Sequence, residues 1–227
     1  MNQISKILKM GLLAFALCLA FASTASAQEV VDKMVATVNS GVNTDLITYS
    51  DLLWQLALEP DVPLQNPSSE NLNRALRAVI DQRLIAQEAE KLPSIAPTEK
   101  EIDDEIRELV RHFPANDFVQ RLNLVGFANT ADENFRRIIE KRVATKKYVD
   151  FRFRAFVVIT PQDEKEYYAD TYVIRFRKLY PNRIVPTFEQ AEPEINRTLT
   201  ETKIALDIDA FLESARERSE IVVLSQV

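Results

Sequence analysis

Few residues of this 227-residue chain have side chains that could perform covalent or acid–base chemistry. His112 is the single histidine and Cys18 the single cysteine, so the chain cannot assemble a Cys/His metal site. His112 falls in the last turn of a predicted helix, where a cation complements the carbonyl end, and we interpret it as solvated. Asp103 and Asp104 lie on a charged helical face. No nucleophile-elbow motif or glycine-rich phosphate loop is present, so we predict no enzyme activity, no metal and no cofactor.

Aromatic residues are more informative, because they are concentrated in one part of the chain. Eight phenylalanines lie between positions 113 and 180, whereas no aromatic residue lies between Trp54 and Phe113. Surplus apolar surface on a protein tends to mark a binding site. We therefore predict a surface that binds extended polypeptide segments through main-chain pairing and side-chain pockets. Its candidate residues are Phe151, Phe153 and Phe156, with Phe118, Leu122 and Phe127 as weaker ones.

The alternative for these aromatic residues is that they fill a core, and this is the role expected of Phe135. For the segment 150–156, DFRFRAF, the conformation decides between the two roles. An extended chain would place phenylalanines and arginines on opposite faces, whereas a helix would spread them around its surface.

The elements that must position these residues are mostly helices. Apolar residues recur at helical spacing between capping signals, and only two glycines follow the first 28 residues, which argues against a turn-rich β-sandwich. Capping boxes are predicted at Thr98 with Glu101 and at Thr130 with Glu133. The predicted helices run from Thr48 or Ser50 to Pro60, from Ser69 to near Pro93, from Thr98 to Pro114, briefly up to Gly126, from Thr130 towards Phe153, over 161–180, and from Pro193 to about Ser219.

Two segments have the character of strands. Val31, Met34, Ala36 and Val38 alternate before an Asn-Ser-Gly turn, and the β-branched run 221–224 ends the chain. A lone strand would leave its backbone groups unpaired, so we predict that these two segments pair. Residues 156–159 could form a third extended piece, and the sequence leaves this open. The predicted fold class is mainly α, with the two terminal strands paired in a small sheet.

The first 27 residues are typical of a secretory signal peptide. Lys6 and Lys9 precede an apolar run, and Ala25-Ser26-Ala27 provides small residues for cleavage. We therefore expect export to the periplasm, no integral membrane segment after cleavage, and a single domain over residues 28–227. The formal net charge of −6 and the lack of a basic stripe predict no nucleic-acid partner.

The order of these patterns resembles the N-terminal domain family of the SurA-type periplasmic chaperones. The resemblance is carried by VVDKMVATVNSGVNTDLITYSDLLWQL (30–56), LRAVIDQRLIAQEAEKL (76–92), ITPQDEKEYYADTY (159–172) and the segment 187–224. It implies that residues 28–172 pack together with the C-terminal helix and strand at 187–224. In that family a parvulin-type prolyl isomerase module follows the segment that 159–172 resembles. Here only the 15 residues 173–187 separate Tyr172 from Phe188, too few for such a module.

The resemblance implies an ATP-independent holdase for unfolded polypeptides, with outer-membrane protein precursors as the expected clients. Two alternatives stay open at this point. The chain could be a degenerate parvulin-type isomerase, although a parvulin site uses paired histidines. It could also be a periplasmic adaptor that holds one fixed folded partner.

Overall fold

The chain folds into a mainly helical structure with a small three-stranded antiparallel sheet, as the sequence predicted. This computed structural model describes residues 32–41 and 43–227, and Lys33–Val227 form one compact unit. The predicted signal peptide lies outside the described residues. Within those residues no helix combines the length and the apolar character needed to cross a bilayer.

All helices of the described residues lie between the second and the third strand in the chain order, and mostly non-helical connections join them. The continuous helix predicted over 161–180 is present as two α-helical segments joined by a π-helical turn, Tyr168–Tyr172. Short 3-10 helices lie at Pro93–Ile95 and Arg154–Phe156. In chain order the elements are β1 (Met34–Asn39), β2 (Thr44–Thr48), α1 (Tyr49–Ala57), α2 (Ser69–Ala89), α3 (Glu99–Arg111), α4 (Asp117–Leu124), α5 (Glu133–Arg152), α6 (Pro161–Tyr167), α7 (Val173–Leu179), α8 (Phe188–Glu217) and β3 (Glu220–Val223).

The two terminal strands pair, as predicted. β1 is the central strand in the order β2-β1-β3, and β3 runs antiparallel to it with Ala36 opposite Val223 and Val38 opposite Ile221. Beyond β3, the amide of Leu224 donates to the carbonyl oxygen of Val35 over 2.8 Å. Both edges of β1 are therefore occupied, and the C-terminal end of the chain completes the sheet.

The strand prediction was incomplete in two respects. β2 was not predicted, because TDLIT is short and has no clear alternation; its exposed Leu46 faces away from the buried Ile47. Met34 was expected to face the core, but its side chain is 53% exposed while Val35 is fully buried. The reason is a register shift between Met34 and Ala36, since a β-bulge inverts the alternation on one side of it.

Helix caps follow the sequence at most positions. Thr48, Thr98 and Thr160 each form a capping box with the acid three residues later. The predicted box of Thr130 with Glu133 is wrong. Asp132 caps α5 instead, with its carboxylate accepting from the amides of Asn134 and Phe135. Backbone amides, that of Ala128 first, lower the pKa of Asp132 and keep it charged in this role.

The last helix begins earlier than predicted. We expected Pro193 to start it, but α8 begins at Phe188 and contains Pro193. The side chain of Gln190 accepts from the Thr187 amide at 3.0 Å and fixes the true start. Ala191 and Ile195 on either side of the proline are buried. Their packing offsets the single hydrogen bond that a proline in the second turn removes.

The core consists of two clusters that share α5. The sheet cluster joins β1, β2, α1, α2, the end of α5 and the second half of α8. The helical cluster joins α3, α4, the first half of α5 and the connecting residue Phe127, with Trp54 packed against it. In α5, Phe135 and Ile139 belong to the helical cluster and Tyr148 belongs to the sheet cluster. This helix therefore ties the two halves of the core together.

A buried arginine connects α4 to the end of α1. The Arg121 guanidinium donates to the carbonyl oxygens of Leu56 at 2.8 Å, Ala57 at 3.1 Å, Glu59 at 2.7 Å and Val62 at 2.9 Å. Burial lowers the pKa of Arg121, and nearby carboxylates oppose this shift. The side chain therefore satisfies the carbonyl groups that the end of a helix leaves without partners.

Candidate functional site

An open cleft lies where the C-terminal ends of α2 and α5 meet the second half of α8. Its volume is about 720 Å³. It forms because α5 ends at Arg152 and the chain turns into the 3-10 helix Arg154–Phe156, which leaves the α2–α8 side of Phe151 uncovered. We call this the aromatic cleft. Its lining residues are Glu88, Lys91, Leu92, Tyr148, Phe151, Arg152, Phe153, Asp207, Ala210, Phe211, Ser214 and Arg218.

Three rings form the base of the aromatic cleft. The centroids of Phe153 and Phe211 are 5.6 Å apart in an edge-on arrangement, and Tyr148 lies 6.5 Å from Phe153 and 6.3 Å from Phe211. Tyr148 and Phe153 are buried, and burial raises the pKa of the Tyr148 phenol. Edge-on contacts of this kind are favourable beyond the area they bury. The base therefore consists of packed rings, of which Tyr148 and Phe153 expose little surface.

Phe151 stands on the wall of the aromatic cleft and is 54% exposed. The surrounding charges are mixed: Glu88 and Lys91 are paired at 2.7 Å, and Arg218 donates to Ser214. A cleft with packed rings at its base, the exposed Phe151 on its wall and mixed charge around it suits an apolar side chain on a polypeptide of any net charge.

The six residues singled out by the sequence fall into different environments. Phe151 and Phe156 are exposed, Phe156 at 74%, whereas Phe153 is buried in the base of the cleft. Next to Phe153, Arg154 binds Asp150 and Glu201 at 2.9 and 2.8 Å and so connects the 3-10 turn to α8. Because the segment is helical rather than extended, its phenylalanines point in different directions.

The other three predicted residues are core, which corrects their assignment to a binding surface. Phe118, Leu122 and Phe127 are buried in the helical cluster. Phe118 packs at 4.8 Å from Phe113 and 5.9 Å from Phe135. The indole of Trp54 lies 5.3 Å from Phe127 and donates to the Val125 carbonyl oxygen. The aromatic residues of this region were needed to fill the space between α1, α3, α4 and α5.

A second, smaller cleft lies between α1, α2 and α5 and was not found from the sequence. Its volume is about 270 Å³, with apolar Trp54, Leu58 and Ile138 in its lining. Lys141 and Lys146 supply positive charge at its rim. The neighbouring helices α1 and α2 and the distant α5 all contribute to it, and no local pattern indicates such a site.

The sequence reasoning also missed an aromatic ladder that runs along the π-helical turn and α7. Tyr168, Tyr172, Phe176 and Tyr180 follow at intervals of four residues, with successive centroids 5.8, 6.0 and 5.0 Å apart. Phe188 at the start of α8 packs edge-on against Tyr168 at 5.7 Å. The four-residue spacing of these aromatic residues could have predicted the ladder, because residues four apart lie on one helical face.

The described residues contain no group of three or more side chains that could hold a metal ion. His112 is exposed at the end of α3, and its Nδ1 lies 2.9 Å from the carbonyl oxygen of Glu108. No protein-family model matches the chain, and no curated protein matches it.

Proposed function

We propose that this protein is an ATP-independent periplasmic chaperone that holds unfolded polypeptides, with outer-membrane protein precursors as clients. The observation that carries the proposal is the aromatic cleft, which combines an apolar base of three rings with the exposed Phe151 on its wall. Aromatic anchors that fill desolvated pockets dominate the energetics of protein recognition. Binding of this kind needs no chemical step, only the removal of exposed apolar segments from solution.

The edge of the sheet offers a second support for the same function. β3 is an edge strand, and Val222, Val223 and Leu224 are exposed along it. An exposed apolar edge can accept an extended peptide through main-chain hydrogen bonds. An unfolded polypeptide could in this way be bound both by its side chains and by its backbone.

We expect Phe151→Ala to keep the fold and to weaken client binding roughly tenfold, because an anchor of this kind contributes more than 1 kcal/mol while an exposed position contributes little to stability. The measurement pairs the melting temperature with suppression of aggregation of a urea-unfolded outer-membrane protein on dilution. Leu206→Ala is the matched control, since Leu206 is equally apolar and exposed on α8 and does not line the cleft.

A stable Phe151→Ala protein with full protective activity would remove the aromatic cleft from the function. The same assay with unrelated unfolded proteins distinguishes a holdase from an adaptor for one fixed partner. A holdase protects several of them, and Phe151→Ala weakens each to a similar degree. Protection of a single protein would favour the adaptor.

We also propose that the protein is not an isomerase, and we expect no acceleration of prolyl isomerisation in a proline-containing peptide. The 15 residues 173–187, which take the place of an isomerase module, form α7 and a loop. Uncatalysed isomerisation takes tens of seconds or longer, so catalysis would be easily detected. An acceleration that survives His112→Ala would contradict this expectation and reveal a catalytic site elsewhere.

A further inference from the structure

The end of the hairpin formed by α6, α7 and α8 has an unusual combination of exposed groups. No residue between positions 165 and 190 is buried. Four large apolar side chains are nevertheless present at its end, and Ile184 is 95% exposed. We call residues 173–187 the hairpin tip. Its exposed apolar residues are Ile174, Leu179, Tyr180 and Ile184.

The hairpin tip is also strongly basic in a protein that is acidic as a whole. It contains Arg175, Arg177, Lys178 and Arg183, and no acid occurs from residue 171 to 188, whereas the chain has a formal net charge of −6. All four cations are exposed, and within the described residues none of them forms an ion pair. Arg183 lies over the ring of Tyr180 at 5.3 Å. These charges are thus available to a partner.

The acids of the hairpin lie away from its tip. Asp163, Glu166 and Asp170 precede the basic segment, and Glu189, Glu192 and Glu194 follow it. Tyr168 links the two sides, since its ring packs edge-on against Phe188 and its hydroxyl donates to the carbonyl oxygen of Pro186 at 2.7 Å. The hairpin therefore presents one positively charged end on a negatively charged stem. An anionic surface would attract the tip and repel the stem.

We propose that the hairpin tip binds the surface of a membrane that contains anionic phospholipids. Interleaved cations and apolar side chains are the combination that attaches protein segments to the interface of such a bilayer, because the cations meet the headgroups and the apolar groups enter the acyl boundary. An acidic folded partner would complement the charge but would need a matching apolar pocket for each exposed side chain, whereas a bilayer interface accepts such side chains in any arrangement. The contact is peripheral and reversible.

Vesicle binding tests the proposal with the chain that begins at Gln28, the form expected after export. Arg177→Gln with Arg183→Gln should weaken binding to phosphatidylglycerol-containing vesicles roughly 25-fold, since each cation near an anionic surface contributes about fivefold. Arg77→Gln with Arg137→Gln is the control of equal charge change, since both arginines are exposed and line neither cleft, and it should bind like the unaltered chain. Vesicles of phosphatidylcholine alone should bind weakly in all cases. All variants begin at the same residue, Gln28, so the N-terminus contributes equally to their vesicle binding and does not affect the comparison.

Ile184→Ser tests the apolar part of the contact without changing any charge. It should keep the melting temperature, because Ile184 is exposed, and should weaken vesicle binding severalfold. Unchanged binding would mean adsorption by charge alone, and it would overturn the proposed insertion. If the tip variant and the control variant lost vesicle binding to the same degree, the assignment of the membrane contact to the tip would be overturned. The protein could instead bind an acidic unfolded polypeptide through the tip and fail to bind vesicles. This result would assign the tip to a protein partner and overturn the proposal.

Discussion

Removal of residues 220–227 is expected to lower the melting temperature by roughly 10 °C or more. β3 is mostly exposed, and only Ile221 and the following Val227 pack against the sheet cluster, so most of the effect comes from its partner strand. Without β3 the central strand becomes an edge, and its four paired positions lose their backbone partners. The fully buried Val35, Ala36 and Val38 would then border on water. Each lost hydrogen bond lowers the free energy of unfolding by about 1 kcal/mol. For a domain of this size each kcal/mol lowers the melting temperature by about 2–4 °C, so the loss of several hydrogen bonds gives the expected shift.

A shorter truncation is the control for this experiment. Ending the chain at Leu224 keeps β3 and the Leu224–Val35 hydrogen bond, and it should lower the melting temperature far less. Thermal unfolding followed by circular dichroism measures both. If removal of residues 220–227 left the melting temperature unchanged, the terminal pairing would be dispensable for stability.

Phe118→Ala is expected to destabilise the protein by about 3–5 kcal/mol, the usual cost of removing a buried phenylalanine side chain. Phe118 is only 2% exposed and contacts the rings of Phe113 and Phe135, so the helical cluster would be left with a cavity. Chemical denaturation measures the free energy of unfolding. The loss of packing should appear as a lower midpoint with an unchanged slope.

Phe156→Ala removes the same side chain from an exposed position and is the matched comparison. Its free energy of unfolding should change by less than about 0.5 kcal/mol, as for most surface substitutions. Equal losses for the two variants would contradict the assignment of Phe118 to the core and Phe156 to the surface. A stable Phe118→Ala protein would restore Phe118 as a candidate for client binding.

The candidate site could be predicted only in part. From the sequence we predicted a binding role for the segment around Phe151, because aromatic residues are concentrated in this part of the chain. It could not show that Phe153 turns inward while Phe151 stays exposed, because this depends on how the 3-10 turn meets α8, where Phe153 packs on Phe211 and Arg154 binds Glu201. Glu201 lies 47 residues further along the chain. A contact over that distance has no local signature.

Local chemistry was enough to determine the helices, most of their caps and the pairing of the terminal strands. A capping box such as Thr98 with Glu101 is complete within four residues, and the two terminal segments had no other strong strand candidate to pair with. Only the tertiary structure decided which apolar residues fill the core and which remain exposed on the surface. Phe118 and Phe156 are the same residue type in similarly aromatic segments, and only the helices around them bury one and expose the other. Burial depends on all neighbours in space, and a sequence specifies only the neighbours along the chain.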